Sequence, residues 1–229
     1  MNILVLGSPE IEAEFSLKFP KRPYIFIKSH EELATWLSQA QVVFDFTLSE
    51  RPENIEYYQQ QNRPDLVVFC DGVKQQLAEL QHQHGEISFT LFGINALPTF
   101  LNRPVLEVSQ LKPGKEHLLK QICKWFDTEY ALVEDRVGMV TPRIICMIIN
   151  EACYTLQEGT ASVQDIDLGM KLGTNYPNGP FEWADKIGVR HVYEVLQAVY
   201  EDTKDERYKV CPLLKTKYLK GESFLTETE

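Results

Sequence analysis

The feature that most constrains this chain is a change in its hydrophobic pattern about 130 residues from the start. Before that point, short apolar runs alternate with longer segments whose apolar residues recur every three or four positions. The runs predict strands at 3–6, 24–27, 42–46, 66–69, 88–91, 105–108 and 130–133. The intervening segments predict helices at 30–40, 54–61, 74–85 and 114–126. This alternation implies a mainly parallel sheet with helices on both faces.

From Asp135 onward the strand pattern stops. Residues 142–159 are apolar on nearly all sides, which is typical of a buried central helix. Further helices are expected at 161–173, 189–203 and 207–220, whereas residues 175–188 are rich in turn formers. The sequence therefore predicts an α/β chain of two domains. A Rossmann-like, mainly parallel sheet domain at 1–134 precedes an all-helical domain at 135–229.

The charge balance excludes some partners. With 33 acidic residues against 23 lysines and arginines, the net charge of -10 disfavours binding to nucleic acids or anionic lipids. No apolar run reaches the roughly 18 residues of a membrane span, and no leader pattern is seen. The five cysteines form no C-x-x-C pair, and His82 and His84 point apart on a helix, so no metal site is expected. We expect a cytoplasmic protein that binds neither nucleic acid nor membrane.

The chain opens on a strand, a glycine turn and a helix, the form of a dinucleotide-binding unit. A working fingerprint reads G-x-G-x-x-G, but only Gly7 remains here, followed by Ser8. Pro9 has no backbone N–H for a phosphate, and Glu10 and Glu12 bring negative charge to the start of the helix. We interpret Gly7 and Ser8 as a vestigial cofactor site and expect no bound cofactor.

The second strand also lacks the carboxylate that binds the ribose of a dinucleotide. It is followed by Lys28, Ser29 and His30. The nearest carboxylates, Glu31 and Glu32, fall in the next predicted helix. A second part of the cofactor site is therefore missing from the sequence.

A dense set of motifs lies in the helical part of the chain. Residues 149–188 contain, in this order, Asn150-Glu151-Ala152, Glu158-Gly159, Ala161-Ser162, Asp165-Ile166-Asp167, Met170-Lys171-Leu172-Gly173 and Tyr176-Pro177-x-Gly179-Pro180. This stretch resembles the C-terminal domain of the NAD-dependent 3-hydroxyacyl-CoA dehydrogenases, and weaker matches extend the resemblance across the chain. It implies a Rossmann-type domain followed by a dimerising helical domain of the 6-phosphogluconate dehydrogenase type. It also implies an acyl-CoA substrate bound between the two.

The reaction implied by the resemblance transfers hydride from a 3-hydroxyl group to NAD. Such chemistry needs a base, a residue that orients the base, and polar groups that bind the oxygens. The resemblance assigns the base to Phe92, the orienting carboxylate to Glu107, and the polar groups to Val73 and Pro142. Glu107 alone of these four keeps a suitable side chain, since a phenyl ring cannot accept a proton.

The same resemblance assigns Asn95, Phe92 and Arg143 to the substrate cleft. We therefore expect a dehydrogenase-like homodimer of fatty-acid and acyl-CoA metabolism that has lost most or all hydride transfer and takes an acyl-CoA or acyl ligand. Two alternatives stay open. One is a divergent but active enzyme that binds NAD, and the other is a non-catalytic module for acyl-CoA binding or dimer assembly.

Overall fold

The computed structural model describes residues 1–225. It divides the chain into two compact units, Met1–Met139 and Val140–Glu229. The first unit contains one seven-stranded sheet of order β2-β1-β3-β4-β5-β6-β7. The strands are β1 (Ile3–Leu6), β2 (Ile25–Ile27), β3 (Val42–Asp45), β4 (Val67–Asp71), β5 (Thr90–Ile94), β6 (Val105–Gln110) and β7 (Glu129–Leu132). Neighbouring strands pair in parallel, except that β6 runs antiparallel to β5.

Helices cover both faces of this sheet, as the sequence predicts. They are α1 (Pro9–Lys18), α2 (His30–Trp36), α3 (Ile55–Gln59), α4 (Leu77–His84) and α5 (Glu116–Phe126). One core joins α1 and α5 to the sheet through rings such as Phe15, Phe44 and Phe126. The other core includes Leu33 of α2 and Tyr58 of α3. Because β1, β3, β4 and β5 are buried along their whole length, their sequences are almost continuously apolar.

The order of the strands identifies where a sheet of this kind binds ligands. The first five strands follow the doubly wound order 2-1-3-4-5, which reverses direction between β1 and β3. Ligands of such sheets bind outside the carboxyl ends of the strands at this reversal. The classic dinucleotide order has two strands on the outer side of β1, whereas this chain has β2 alone.

The segment after β7 is still held on the first unit. The carboxylate of Asp135 accepts hydrogen bonds from the backbone N–H groups of Leu77 and Ala78, at 2.8 and 2.9 Å. It therefore caps the start of α4 from outside the helix. The N–H of Gly138 donates to the carbonyl of Val73 at 2.6 Å. These bonds explain why the first unit continues to residue 139.

All regular elements described in the second unit, within residues 140–225, are helices. Its α-helices are α6 (Thr141–Gln157), α7 (Val163–Thr174), α8 (Pro180–Ile187), α9 (Val189–Thr203) and α10 (Pro212–Lys220). α6 packs against the other four, but it is not buried on all sides, because Ile144 is 54% exposed in this unit. The expected helix at 207–220 is shorter, because a 3-10 turn at Glu206–Tyr208 precedes α10.

The turn-rich stretch 175–188 contains a helix that its composition does not predict. α8 begins at Pro180, directly after Gly179. The carboxylate of Asp167 on α7 accepts hydrogen bonds from the N–H groups of Phe181 and Glu182, at 2.8 and 3.0 Å. α8 is therefore capped by a residue of the preceding helix, a contact that a local sequence pattern does not contain.

Candidate functional site

The glycine of the first turn is retained for packing. A Cβ atom added at Gly7 would lie 3.0 Å from Cγ2 of Ile11 and 3.5 Å from Cδ2 of Phe46. Phe46 follows β3, is 8% exposed, and donates its backbone N–H to the carbonyl of Leu6. A side chain at position 7 would require Ile11 to shift by a few tenths of an ångström, so glycine suits this packing whether or not a phosphate binds beside it.

The start of α1 is satisfied by the chain itself. The hydroxyl of Ser8 accepts a hydrogen bond from the N–H of Ile11 at 3.4 Å, and Pro9 at the first helical position has no N–H. A hydrogen bond from the Ser8 side chain, followed by one from its own N–H, lowers the pKa of the exposed Glu10 carboxyl. An anionic carboxylate thus occupies the end of the helix that would attract a phosphate. These residues do not fit the pyrophosphate of NAD.

A buried carboxylate ends β3 at the reversal point of the sheet. Asp45 is 0% exposed, and its Oδ1 accepts hydrogen bonds from the N–H and hydroxyl of Thr47, at 2.9 and 2.7 Å. Its Oδ2 accepts one from the hydroxyl of Tyr58 at 2.7 Å and lies 3.0 Å from Nε2 of His30. Burial and the adjacent Asp45 raise the pKa of Tyr58 well above its usual range. Sequence reasoning missed this cluster, although an aspartate that ends a buried strand was a signal for it.

A second carboxylate ends β4, the next strand of the sheet. Asp71 is buried and accepts a hydrogen bond from the N–H of Val73 at 3.2 Å. Burial raises the pKa of Asp71, an effect opposed by the charge of Lys74 and by hydrogen bonds from Val73, Ala96 and the Ser49 side chain. Asp71 therefore ties together the chain segments that leave β3, β4 and β5.

The position assigned to the catalytic base lies inside the sheet core. Phe92 is the middle residue of β5, is 0% exposed, and stacks on Phe69 of β4 with ring centroids 5.1 Å apart. Val73 is also fully buried. Neither side chain presents a polar group to a ligand.

The other sequence-assigned residues of the first unit come together at the end of β5. The N–H of Asn95 donates to the carbonyl of Glu107 on β6 at 3.1 Å. The Asn95 side chain accepts a weak hydrogen bond from the N–H of Leu97 at 3.4 Å. Burial lowers the pKa of Arg103, and the charges of Glu107 and Glu14 oppose that shift. The carboxylate of Glu107 thus has a cationic neighbour in place of an imidazole.

Two assigned residues belong to the second unit and begin α6. Pro142 is buried in the first turn of the helix and offers no side-chain donor. The guanidinium of Arg143 donates to the hydroxyl of Tyr208 at 3.0 Å, and its Cζ lies 5.4 Å from the centre of that ring. Arg143 is therefore engaged with a residue of its own unit.

The helical unit has an apolar groove that the sequence did not predict. The groove has a volume of about 390 Å³ and is lined mainly by residues of α6 and α7, among them Ile148, Ala152, Ile166 and Met170. No residue of α7 is buried, and Leu168 and Leu172 on this helix are 56% and 78% exposed. Helix α7 therefore borders an apolar groove and also carries two largely exposed leucines.

Neither a metal-binding cluster nor a membrane-spanning helix is found within residues 1–225. In that part of the chain, no group of three or more His, Cys, Asp or Glu side chains is arranged to hold a metal ion. None of the helices described there is long and apolar enough to cross a membrane.

Comparison with known proteins relates the helical unit to one family. Residues 138–225 match the family model for the 3-hydroxyacyl-CoA dehydrogenase C-terminal domain. A 3-hydroxybutyryl-CoA dehydrogenase of Bradyrhizobium diazoefficiens is 42% identical over 102 residues, which make up 44% of this chain and 34% of that protein. A 3-hydroxyadipyl-CoA dehydrogenase of Escherichia coli is 42% identical over 87 residues, 38% of this chain and 18% of that protein. The match spans about a third of the first relative and less of the second.

A solved structure resembles the whole fold. The chain superposes on an (S)-3-hydroxybutyryl-CoA dehydrogenase from Ralstonia eutropha with a TM-score of 0.73. The superposition covers 96% of this chain and 94% of that one, at 19% sequence identity. It confirms the predicted fold, a Rossmann-like sheet domain followed by a helical domain, and at this identity it carries nothing about activity.

Proposed function

We propose that the chain is a 3-hydroxyacyl-CoA dehydrogenase-like protein, as the match of residues 138–225 to that family's C-terminal domain supports, and that it has lost NAD-dependent hydride transfer. The observation that carries this proposal is the ring of Phe92, which is fully buried and stacked on Phe69 at the position assigned to the base. A phenyl ring cannot take the hydroxyl proton. General acid-base catalysis commonly contributes about 10²- to 10⁴-fold in rate, so its loss alone is severe.

The cofactor end of the fold supports the same proposal. Pro9 removes a donor from the start of α1, and Glu10 places a carboxylate there. Phe46 packs beside Gly7 at the reversal point of the sheet. A dinucleotide would have to displace both an anionic and an apolar group, so we propose that the chain does not hold NAD in the manner of an active dehydrogenase.

We expect no turnover when the purified protein is mixed with acetoacetyl-CoA and NADH. NADH oxidation should stay at the rate of the protein-free blank, and Glu107→Ala should behave like the unaltered chain because Glu107 has no base to orient. Absorbance at the NADH band measures both. Turnover that Glu107→Ala abolishes would overturn the proposal in favour of a divergent, active enzyme. That alternative also requires millimolar NADH to raise the melting temperature, since a ligand that binds only the folded state stabilises it.

Acyl-CoA remains the small molecule that we propose as a ligand. The relatives matched by the helical unit are named for CoA thioester substrates. The five cysteine thiols are free and buried, which favours a reducing compartment such as the cytoplasm, where acyl-CoA esters are available. Calorimetric titration with acetoacetyl-CoA alone separates binding from turnover, because a passive binder gives heat without NADH oxidation.

We further propose that the chain forms a homodimer through α7. The support is the groove between α6 and α7, together with the exposed Leu168 and Leu172. An apolar helix face of this kind is normally covered by another chain, because exposed contiguous apolar surface is unfavourable in water.

Light scattering after size exclusion tests the dimer. The unaltered chain should elute as a dimer, and the double variant Leu168→Glu and Leu172→Glu should elute as a monomer because two charges would be buried in the interface. Leu219→Glu is the matched control, since Leu219 is 70% exposed but lies on α10 and not on α7. A monomeric unaltered chain, or a double variant that stays dimeric, would contradict this arrangement.

A further inference from the structure

The imidazole of His30 lies in the crevice where a doubly wound sheet binds nucleotides. His30 is the first residue of α2, just after β2, while Asp45 ends β3. β1 lies between these two strands in the sheet. The contact between Nε2 of His30 and Oδ2 of Asp45, at 3.0 Å, therefore bridges two strand spacings, about 10 Å, across the carboxyl end of β1.

The ring of His30 is held at both nitrogens and on one face. Its Nδ1 lies 3.0 Å from the side-chain amide nitrogen of Asn54, and its Nε2 faces Asp45. Tyr57 stacks on it, with centroids 5.4 Å apart and planes inclined by 27°. Proteins hold nucleic-acid bases by the same combination, hydrogen bonds to the ring edge and stacking on an aromatic face. His30 itself is only 7% exposed.

Two further groups at the crevice, Asp45 and Phe46, are occupied by contacts within the chain. Both oxygens of Asp45 have donors, from Thr47, Tyr58 and His30. The buried ring of Phe46 packs beside Gly7, with its Cδ2 3.5 Å from the position of an added Cβ. The carboxylate of Asp45 is thus satisfied by the chain itself, and the ring of Phe46 is packed.

We propose that His30 is an internal ligand, whose imidazole occupies the nucleotide crevice and binds the carboxylate of Asp45 and the amide of Asn54. Removing the ring opens a site for a planar nitrogen heterocycle of the size of imidazole, bounded by Tyr57. The proposal goes beyond the loss of hydride transfer, because it applies to any nucleotide and concerns groups that are not part of the dehydrogenase chemistry.

Chemical rescue tests the proposal. His30→Ala should lower the melting temperature of the first unit by roughly 5–10 °C, since it removes two hydrogen bonds and a stacking contact. Millimolar imidazole should then restore several degrees in His30→Ala and leave the unaltered chain unchanged. 1-Methylimidazole should restore less, because its methylated nitrogen cannot hydrogen-bond.

His117→Ala is the matched control, because His117 is an exposed histidine on α5 whose Nδ1 lies 3.1 Å from the backbone carbonyl oxygen of Gly114. Its melting temperature should be insensitive to imidazole. A folded His30→Ala variant that imidazole does not stabilise would overturn the proposal. If His30→Ala does not fold, the unaltered chain decides: a rise in melting temperature with adenosine or ATP would overturn the proposal, and no rise would support it.

The outcomes separate this proposal from the proposed function. If the unaltered chain shows no NADH turnover and imidazole does not stabilise His30→Ala, the proposal for His30 fails and the proposed loss of hydride transfer stands. If the unaltered chain oxidises NADH, the proposed loss of hydride transfer fails. The response of His30→Ala to imidazole still tests the proposal for His30.

Discussion

Replacing Asp45 by alanine is expected to destabilise the first unit by about 3–5 kcal/mol. The substitution leaves the hydroxyl of Tyr58, which is completely buried, without the acceptor that it now has at 2.7 Å. It also removes the partner of His30 at 3.0 Å. Each buried polar group that loses its partner costs about 1–3 kcal/mol, so two such losses account for most of the effect. This is a large share of the 5–15 kcal/mol by which domains are typically stable.

Urea unfolding of the unaltered chain and of Asp45→Ala measures the effect. The matched control is Asp65→Ala, because Asp65 is an exposed aspartate that pairs with Arg63 on the surface and is expected to change stability by less than about 1 kcal/mol. Asp45→Asn should lie between the two, since its remaining amide oxygen can still accept one of the hydrogen bonds. Equal stability of Asp45→Ala and Asp65→Ala would contradict a structural role for the buried carboxylate.

The strands of the first unit could be predicted because their burial determines the residue types within each strand itself. A strand covered on both faces must be apolar at nearly every position, as β3 and β4 are. The order of those strands is not local, because it depends on which crossover lies on which face. His30 and Asp45 meet only because β2 and β3 lie on either side of β1. The aspartate that ends β3 can be read from the sequence, but its contact with His30 cannot.

The residues assigned to catalysis and cofactor binding also show what can and cannot be predicted from sequence. The sequence could establish that Phe92 is no base and that Pro9 is no phosphate donor, because these statements concern the chemistry of single residues. It could not reveal that Phe92 lies in mid-strand and stacks on Phe69, nor that Asp71 ties three loops together. The absence of a catalytic group can be inferred from the residue type, whereas the role of the residue that replaces it follows only from its contacts in the structure.

Helix α8 gives the clearest case of a motif whose reason is structural. Gly179 belongs to the Tyr-Pro-x-Gly-Pro motif and Asp167 to the Asp-Ile-Asp motif, which lie twelve residues apart in the chain. A Cβ atom at position 179 would overlap the Cβ and Cγ atoms of Asp167. Asp167 cannot move away cheaply, because its two oxygens bind the N–H groups of Phe181 and Glu182. The two motifs therefore form one capping unit.

Gly179→Ala is accordingly expected to destabilise the helical unit by about 1–3 kcal/mol. The added methyl group must either break the cap, which costs about 1–2 kcal/mol, or force the backbone apart, which costs about 1–3 kcal/mol. Urea unfolding followed by helical circular dichroism measures the change. Gly173→Ala is the matched control, because Gly173 lies in α7 with no atom within 4 Å of an added Cβ. It should be neutral or stabilising, since alanine favours a helix over glycine by about 1 kcal/mol.

A double-mutant cycle with Asp167→Ala separates the clash from the cap. Asp167→Ala alone removes two accepted hydrogen bonds from α8 and keeps the glycine. Once Cγ and the carboxylate are gone, the added methyl group has less to displace, so the two substitutions should cost clearly less together than the sum of their separate effects. Strict additivity would mean that Gly179 is required for a reason other than Asp167. Less-than-additive costs would assign the glycine of this motif to the support of α8, a function that a chain can retain after its catalytic residues are replaced.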